Sequence, residues 1–278
     1  MTLWNSRISI VYNTVIHIYF FMKLTILNDN SAGPKFLATH GLSFYIQDDV
    51  NILFDAGPDN TFLENAKRLI LNIKPDFTVL SHGHWDHGNG LIYAPSNMLV
   101  YHPACFNKRY SKVKNIYVGL NSNEVELANK FKLSPSKSPL KLSQTVTFLG
   151  EIPRTTNFEA KQTDFIGSDG NPDFIPDDSA IVISTKDGLV IISGCAHAGI
   201  CNTIEYAIKV TGENKINAVF GGFHLKTDGE QTQKTITYLK KHNIEKACPS
   251  HCTSLPALSE FYKVFKQPQV LTGNYYTF

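Results

Sequence analysis

The sequence predicts an α/β fold on three observations. In the N-terminal part, short apolar runs of strand length follow one another through turns, at residues 24–27, 41–46 and 51–57, which argues for an antiparallel half-sheet. In the C-terminal part, apolar runs at 188–192, 216–220 and 246–249 alternate with helical stretches, which argues for crossovers whose turns open on one sheet edge. Between the two parts, the apolar run Phe77-Thr78-Val79-Leu80 delivers Ser81-His82-Gly83-His84-Trp85-Asp86-His87-Gly88-Asn89-Gly90-Leu91, with three imidazoles and a carboxylate inside six residues.

Length and composition set the bounds. At 278 residues the chain suffices for one large domain, and no Gly/Ser/Pro-rich tract divides it. Its formal charge is +2, from 26 basic and 24 acidic residues, so no global field points to nucleic acid as a partner. Residues 107–141 depart from that balance, with eight Lys and Arg against Glu124 and Glu126. A solvated surface is the plain account of this excess, and attraction of an anionic small molecule is the sharper one. The five cysteines, Cys105, Cys195, Cys201, Cys248 and Cys252, are odd in number and irregularly spaced, unlike a secreted disulfide framework, so a reducing cytoplasm is expected.

Residues 1–21 read as an N-terminal extension, with the domain proper starting at Met22. The stretch 8–22 is apolar, but Asn13, Thr14 and His17 interrupt it and no small-x-small cleavage site follows. A weak membrane association through it is the alternative to a plain extension.

The strand at 51–57 ends on Asp55, before Gly57 and Pro58. From 60 to 72, Phe62, Ala66, Leu69 and Ile70 recur at helical spacing. In an extended segment side chains two apart project the same way, so His82 and His84 can converge on one ion. Asp86 and His87 fall at the turn, where Gly88 and Gly90 permit a tight bend, and can face a neighbouring ion. Imidazole and carboxylate are ligands that zinc, iron and manganese accept. The alternative is a strand-end cluster satisfied by hydrogen bonds, which would be costly to bury without a metal.

A strand at 98–102 ends on His102, read as structural. A helix at 123–131 and its surroundings make 107–141 look like a basic insertion or lid. The strand at 145–149 runs into Glu151 and Arg154, candidates for substrate contact, with a surface ion pair as the plain alternative. The polar loop 164–178 lacks the glycine and final glutamate of an EF-hand. Strands at 179–185 and 188–192, joined at Asp187-Gly188, lead to Gly194-Cys195-Ala196-His197. Here the Cys195 thiolate can bridge two ions, and His197 is an equally good ligand. A helix at 204–210 precedes the strand ending at His224, and another at 231–242 precedes the strand ending at His251. His224 is either a further ligand or the group that polarises substrate, and His251 the last ligand of a second ion. The pair Cys248 and Cys252 is a weak zinc motif by itself.

The pattern H-x-H-x-D-H with its glycines closely resembles the metallo-β-lactamase superfamily. His40-Gly41-Leu42-Ser43, Phe54-Asp55-Ala56-Gly57, residues 81–91, Glu151-Ile152-Pro153-Arg154, residues 194–199, 221–225 and Pro249-Ser250-His251-Cys252-Thr253 together resemble one branch of it. That branch is the 7,8-dihydropterin-6-methyl-4-(β-D-ribofuranosyl)aminobenzene 5′-phosphate synthase-like proteins, and the resemblance covers residues 22–278. It implies a four-layer αββα sandwich with two divalent metal ions at one edge, zinc first, with iron and manganese as the other options. It implies that Asp55 steadies the metal loop by hydrogen bonds, and that an Asp more often stands where this chain has Cys195. A ligand histidine is common near residue 150 in the superfamily, yet none lies between His102 and His197. Thr39 stands where relatives often carry Glu, and His40 is a candidate to face the substrate.

The implied activity is that of a metallohydrolase or a synthase-like transferase acting on an anionic, phosphate-containing small molecule. In a hydrolase the ions acidify a water that Asp86 orients, while His224 or a basic residue serves the leaving group. In a synthase they activate a pterin pyrophosphate for displacement by an arylamine. A diiron redox protein is a rival reading, but no flavin motif appears. A non-catalytic metal-binding module is another, against which the retained ligand set argues.

Overall fold

The computed structural model describes residues 22–278. The expectations for residues 1–21, and the membrane association read from 8–22 apart from Met22, lie outside the described residues. Among the described residues no helix is long and apolar enough to cross a membrane.

The first half of the chain contains β1 (Lys23–Asn28), β2 (Ser43–Gln47), β3 (Asn51–Phe54), α1 (Thr61–Arg68), β4 (Phe77–Val79), α2 (Trp85–Gly88) and β5 (Met98–Tyr101). Next come β6 (Arg109–Ser111), β7 (Ile116–Tyr117), α3 (Glu124–Ala128), β8 (Lys132–Pro135), β9 (Leu140–Lys141), β10 (Val146–Phe148) and β11 (Phe165–Gly167). The last part holds β12 (Ala180–Thr185), β13 (Gly188–Ser193), α4 (Ile200–Thr211), β14 (Ile216–Gly222), α5 (Glu230–Lys241), β15 (Lys246–Ser250), α6 (Leu255–Phe265) and β16 (Tyr275–Thr277).

Among the described residues the strands form a seven-stranded sheet, β16-β1-β2-β3-β4-β5-β8, a six-stranded sheet, β15-β14-β13-β12-β10-β9, and a small sheet, β11-β6-β7. Each large sheet is antiparallel on one side and parallel on the other. β1, β2 and β3 pair antiparallel, and β3, β4, β5 and β8 pair parallel. Likewise β10, β12 and β13 pair antiparallel, and β13, β14 and β15 parallel.

Alternation along the strands sorts side chains between layers. Ile181, Ile183, Val190 and Ile192 join Phe44, Ile46, Ile52, Phe54 and Phe220 in a core between the two large sheets. Their neighbours Ala180, Val182, Leu189 and Ile191 face outward, onto Ile204, Ile236, Leu239 and Phe261 of α4, α5 and α6. On the far side, Tyr45, Leu53, Leu99 and Tyr101 pack on Phe62, Ala66 and Leu127 of α1 and α3. The result is the four-layer αββα sandwich, with strands buried on both faces, as parallel sheets require.

Two expectations change. The stretch 107–141 is not one excursion, because β8 pairs with β5 in the seven-stranded sheet while β6 and β7 join β11 in the small one. Leu127, Phe131 and Leu133 carry it, packing into the outer core. Nor are all its basic residues a surface feature, since Arg109 is fully buried. The sequence reading also missed α6, started by Ser254, whose side chain accepts the Ala257 N–H, with Pro256 in its first turn.

Phe220, fully buried between the sheets, tests the layering. Phe220→Ala is expected to lower unfolding free energy by about 3–5 kcal/mol, read as the shift in denaturant midpoint at unchanged m-value. Val125→Ala on the exposed face of α3 should stay within about 0.5 kcal/mol.

Candidate metal centre

The parallel halves of both sheets aim their C-terminal ends at one place. Asp55 follows β3, the segment 81–87 follows β4, Cys195 and His197 follow β13, His224 follows β14 and His251 follows β15. Ligand-bearing crevices form at such strand ends because the chain must turn there and side chains escape the ladder. Asp55, Ala196, His224 and His251 take positive φ, between 48° and 56°. Each such non-glycine turn costs on the order of 1–3 kcal/mol, a strain that gathers at functional sites.

Two clusters result. In the first, donor atoms of His82, His84 and His197 lie within 4.8 Å of one another. In the second, those of Asp86, His87 and His251 do. His197 reaches this group from the end of β13 in the six-stranded sheet, and no histidine stands near residue 150. Cys195 lies between the clusters, grouped with His82 and His87, and its Sγ is 3.3 Å from His87 Nε2.

Hydrogen bonds fix the rings. The Asp55 carboxylate accepts the Ser81 N–H and the Ser81 hydroxyl, each at 2.7 Å, and the His87 Nδ1–H at 2.7 Å. With its proton committed to Asp55, the Ser81 oxygen accepts from His82 Nδ1 at 2.9 Å. One carboxylate therefore sets the tautomers of two imidazoles and leaves each Nε2 lone pair facing the centre. On the other side, His251 Nδ1–H donates to Asn30 Oδ1 at 3.0 Å, and Asn30 Nδ2 donates back to the His251 carbonyl at 3.0 Å. No local pattern marks Asn30, because its partner lies 221 residues away.

The donor set fits divalent metal ions. Nε2 of His197 is buried without a hydrogen-bond partner, an arrangement that is costly unless something positive sits there, and Nε2 of His82 and Nδ1 of His84 converge to 2.9 Å. Nε2 of His87 and Nε2 of His251 approach to 3.0 Å, although both Nδ1 atoms already carry the donated protons. Burial pushes the His82 and His197 rings well below the usual histidine range, His84 down to about 3 and His251 to about 4, so their nitrogens are free to coordinate. Burial also pulls His87 down, but the Asp55 and Asp86 carboxylates outweigh it and raise the ring to about 9. That pair of carboxylates calls for positive charge at His87 Nε2, which a cation supplies. Burial works against the Asp86 carboxylate too, yet the charge of His87 outweighs it and, with a hydrogen bond from His40, holds it well below the usual range.

A buried ion pair braces the metal loop. Asp177 accepts from Arg109 at 3.0 and 2.7 Å and from the Gly83 N–H at 2.7 Å, while Arg109 also donates to the Ala104 carbonyl. Asp178 accepts the Ala198 N–H at 2.9 Å beside His197. The glycines after His87 act differently than expected. Gly88 has φ −122°, and a Cβ at Gly90 would fall 2.1 Å from the Ala56 carbonyl oxygen, so Gly90 is needed for close approach.

A cavity of about 400 Å³ opens beside His197 and His224, lined also by Phe158, Phe165 and Phe174 and by the polar residues Lys161, Thr163 and Lys226. The His224 and His197 rings are 4.3 Å apart, and Phe165 lies 4.6 Å from His84. His40 stands on the other side, largely exposed, its Nε2 3.2 Å from Asp86. The other two expected substrate contacts do not line the cavity. Glu151 pairs with His102 at 3.5 Å, and Arg154 donates to the carbonyls of Phe174 and Ile175, pinning the loop that forms one wall. Glu159 was missed as well. It accepts the Cys201 and Asn202 N–H groups at 2.9 Å, so the α4 N-terminus is already capped by a carboxylate.

The sandwich and its strand-end clusters define a metal-dependent enzyme of the metallo-β-lactamase superfamily, to which the chain belongs; the family model so described matches residues 38–96. Within it the chain belongs to the synthase-like branch. It is 34% identical over 271 residues to 7,8-dihydropterin-6-methyl-4-(β-D-ribofuranosyl)-aminobenzene-5′-phosphate synthase of Methanocaldococcus jannaschii, covering 88% of this chain and 92% of that protein. An uncharacterized protein of the same organism is 34% identical over 249 residues, covering 85% and 93%. Among solved structures, a metal-dependent hydrolase of the β-lactamase superfamily superposes with a TM-score of 0.81 at 27% identity, covering 92% of this chain and 98% of that one.

Two variants test the centre. His84→Ala is expected to lower bound metal by elemental analysis and to abolish turnover, beyond the roughly 10–100-fold that loss of an outer hydrogen-bond partner costs; full metal content and activity would contradict the ligand role. Asp177→Ala removes the bidentate partner of buried Arg109 and leaves only Asp173, 3.2 Å from its Nε, which should cost about 3 kcal/mol of stability in denaturant unfolding.

Proposed function

We propose that the chain is a hydrolase or group transferase acting on an anionic, phosphate-bearing small molecule, with two divalent ions, zinc first, held by the two clusters. The observation that carries this reading is the cavity beside the three-imidazole cluster, lined both by Lys161 and Lys226 and by Phe158, Phe165 and Phe174. A phosphate group suits the lysines, and a flat ring suits Phe165 and Phe158. Glu159 caps the α4 N-terminus, and Lys161 and Lys226 are the lysines that line the cavity.

His82, His84 and His197 would hold one ion, and Asp86, His87 and His251 the other, with Cys195 between them. The ions supply Lewis-acid activation of a water or of the substrate's electrophilic centre. Asp86, kept ionised by its neighbours, accepts a hydrogen bond from the nucleophile and orients it. Burial, and then the charge of Lys226, push the His224 ring down to about 4. It therefore acts near neutral pH as a neutral hydrogen-bond donor to the substrate, not as a charged proton donor. Lys226 pairs with Asp164 at the cavity edge, and an incoming anion competes with that carboxylate for it. The five cysteines, all unpaired, suit a reducing compartment, the cytoplasm.

The synthase named among the relatives makes pterin phosphates the first compounds to assay, with phosphodiester chromogens and lactones beside them. The reading predicts turnover of phosphate-bearing compounds by the metal-loaded protein, loss on chelation and recovery with zinc. Turnover of neutral lactones alone would contradict it. Lys226→Ala should raise KM for an anionic substrate roughly tenfold with a smaller change in kcat, measured by steady-state kinetics.

A further inference from the structure

The second cluster carries more sulfur than its place in the sequence motif announces. Sγ of Cys195, Sγ of Cys252 and a ring nitrogen of His251 all lie within 4.8 Å of one another. Cys248 makes no pair with Cys252, since it is buried between the two large sheets. Cys252 follows His251 directly in the turn after β15, and the Thr253 hydroxyl pins that turn by accepting the Phe223 N–H at 3.0 Å. At the end of β14, a Cβ on Gly222 would fall 2.5 Å from Cys252 Sγ, so glycine there makes room for the thiol. The Cys252 thiol otherwise meets the Cys195 thiol and the Cys195 carbonyl at 3.5 Å, and sulfur contacts of this kind are weak.

We propose that Cys252 is a ligand of the second centre, acting beside Cys195. This rests on the metal reading of the site given above. The two centres then differ in chemistry, with three imidazoles at one, imidazoles, a carboxylate and the Cys252 thiolate at the other, and Cys195 between them. As a cation binds, each thiol gives its proton to solvent and its sulfur takes the ion. Thiolate favours borderline and soft ions such as zinc over magnesium or calcium, so the second centre should discriminate among metals more sharply than the first.

The test uses cobalt(II) as a spectroscopic stand-in for zinc, titrated into the full chain after removal of metal with a chelator. Sulfur-to-cobalt charge transfer absorbs in the near ultraviolet, while cobalt held by nitrogen and oxygen alone absorbs only in the visible. The wild-type protein should show both features. Cys252→Ser should lose about half of the charge-transfer intensity if each thiolate contributes equally, and the Cys195→Ser/Cys252→Ser double variant should lose all of it while keeping the visible absorption. Wild-type intensity in Cys252→Ser would overturn the proposal. Absence of any cobalt absorption in the wild-type protein would instead overturn the metal reading beneath it. Should a variant fail to fold, iodoacetamide labelling of the wild-type chain, mapped by mass spectrometry, decides the matter. Zinc should protect Cys252, and equal labelling with and without zinc would count against its being a ligand.

Discussion

Imidazole nitrogens facing one another in a largely buried space are the constraint on which the rest of this molecule depends. Isolated, such nitrogens repel or stay unsatisfied, and burying them is costly. The fold tolerates the arrangement because Asp55, Ser81 and Asn30 fix which nitrogen of His82, His87 and His251 carries the proton. The free lone pairs are left pointing where a cation is required. Asp55 matters most among these, since a single carboxylate at a strained backbone position orients rings on both sides of the metal loop.

That constraint explains the architecture around it. No one strand can supply the donors, so the ends of parallel strands from both large sheets must meet at one edge. The inter-sheet core of Phe44, Phe54, Ile192 and Phe220 holds the two edges in register. The small sheet and the Arg109–Asp177 pair lock the Gly83 backbone from outside. The same small sheet brings Phe165 over His84 and His197, so the brace of the metal loop also forms a wall of the substrate cavity.

What could be read from the sequence divides along contact distance. His82, His84, Asp86 and His87 fall in one run after an apolar strand, and the alternation of 179–185 and 188–192 marks buried strands, so local pattern sufficed for the loop and much of both sheets. Cys195, His197 and His251 stood out as chemically unusual residues at strand ends. Asn30, Asp177 and Arg109 did not, because each acts through a partner 68 to 221 residues away. Their local surroundings, a polar loop or a lysine-rich stretch, read as solvent-exposed. Short strands such as β6, β7 and β11 carry too few residues to show a period, and they exist only by pairing with one another. Glu151 and Arg154, candidates for substrate contact with a surface ion pair as the alternative, instead serve His102 and the loop at Phe174.

The measurement that bears most directly on this account is anomalous diffraction at the zinc edge from crystals of the zinc-loaded chain. The account predicts one peak among the ring nitrogens of His82, His84 and His197, and another among Asp86, His87 and His251. Crystals in which the rings instead bond to one another or to water, with zinc absent or bound elsewhere, would contradict it.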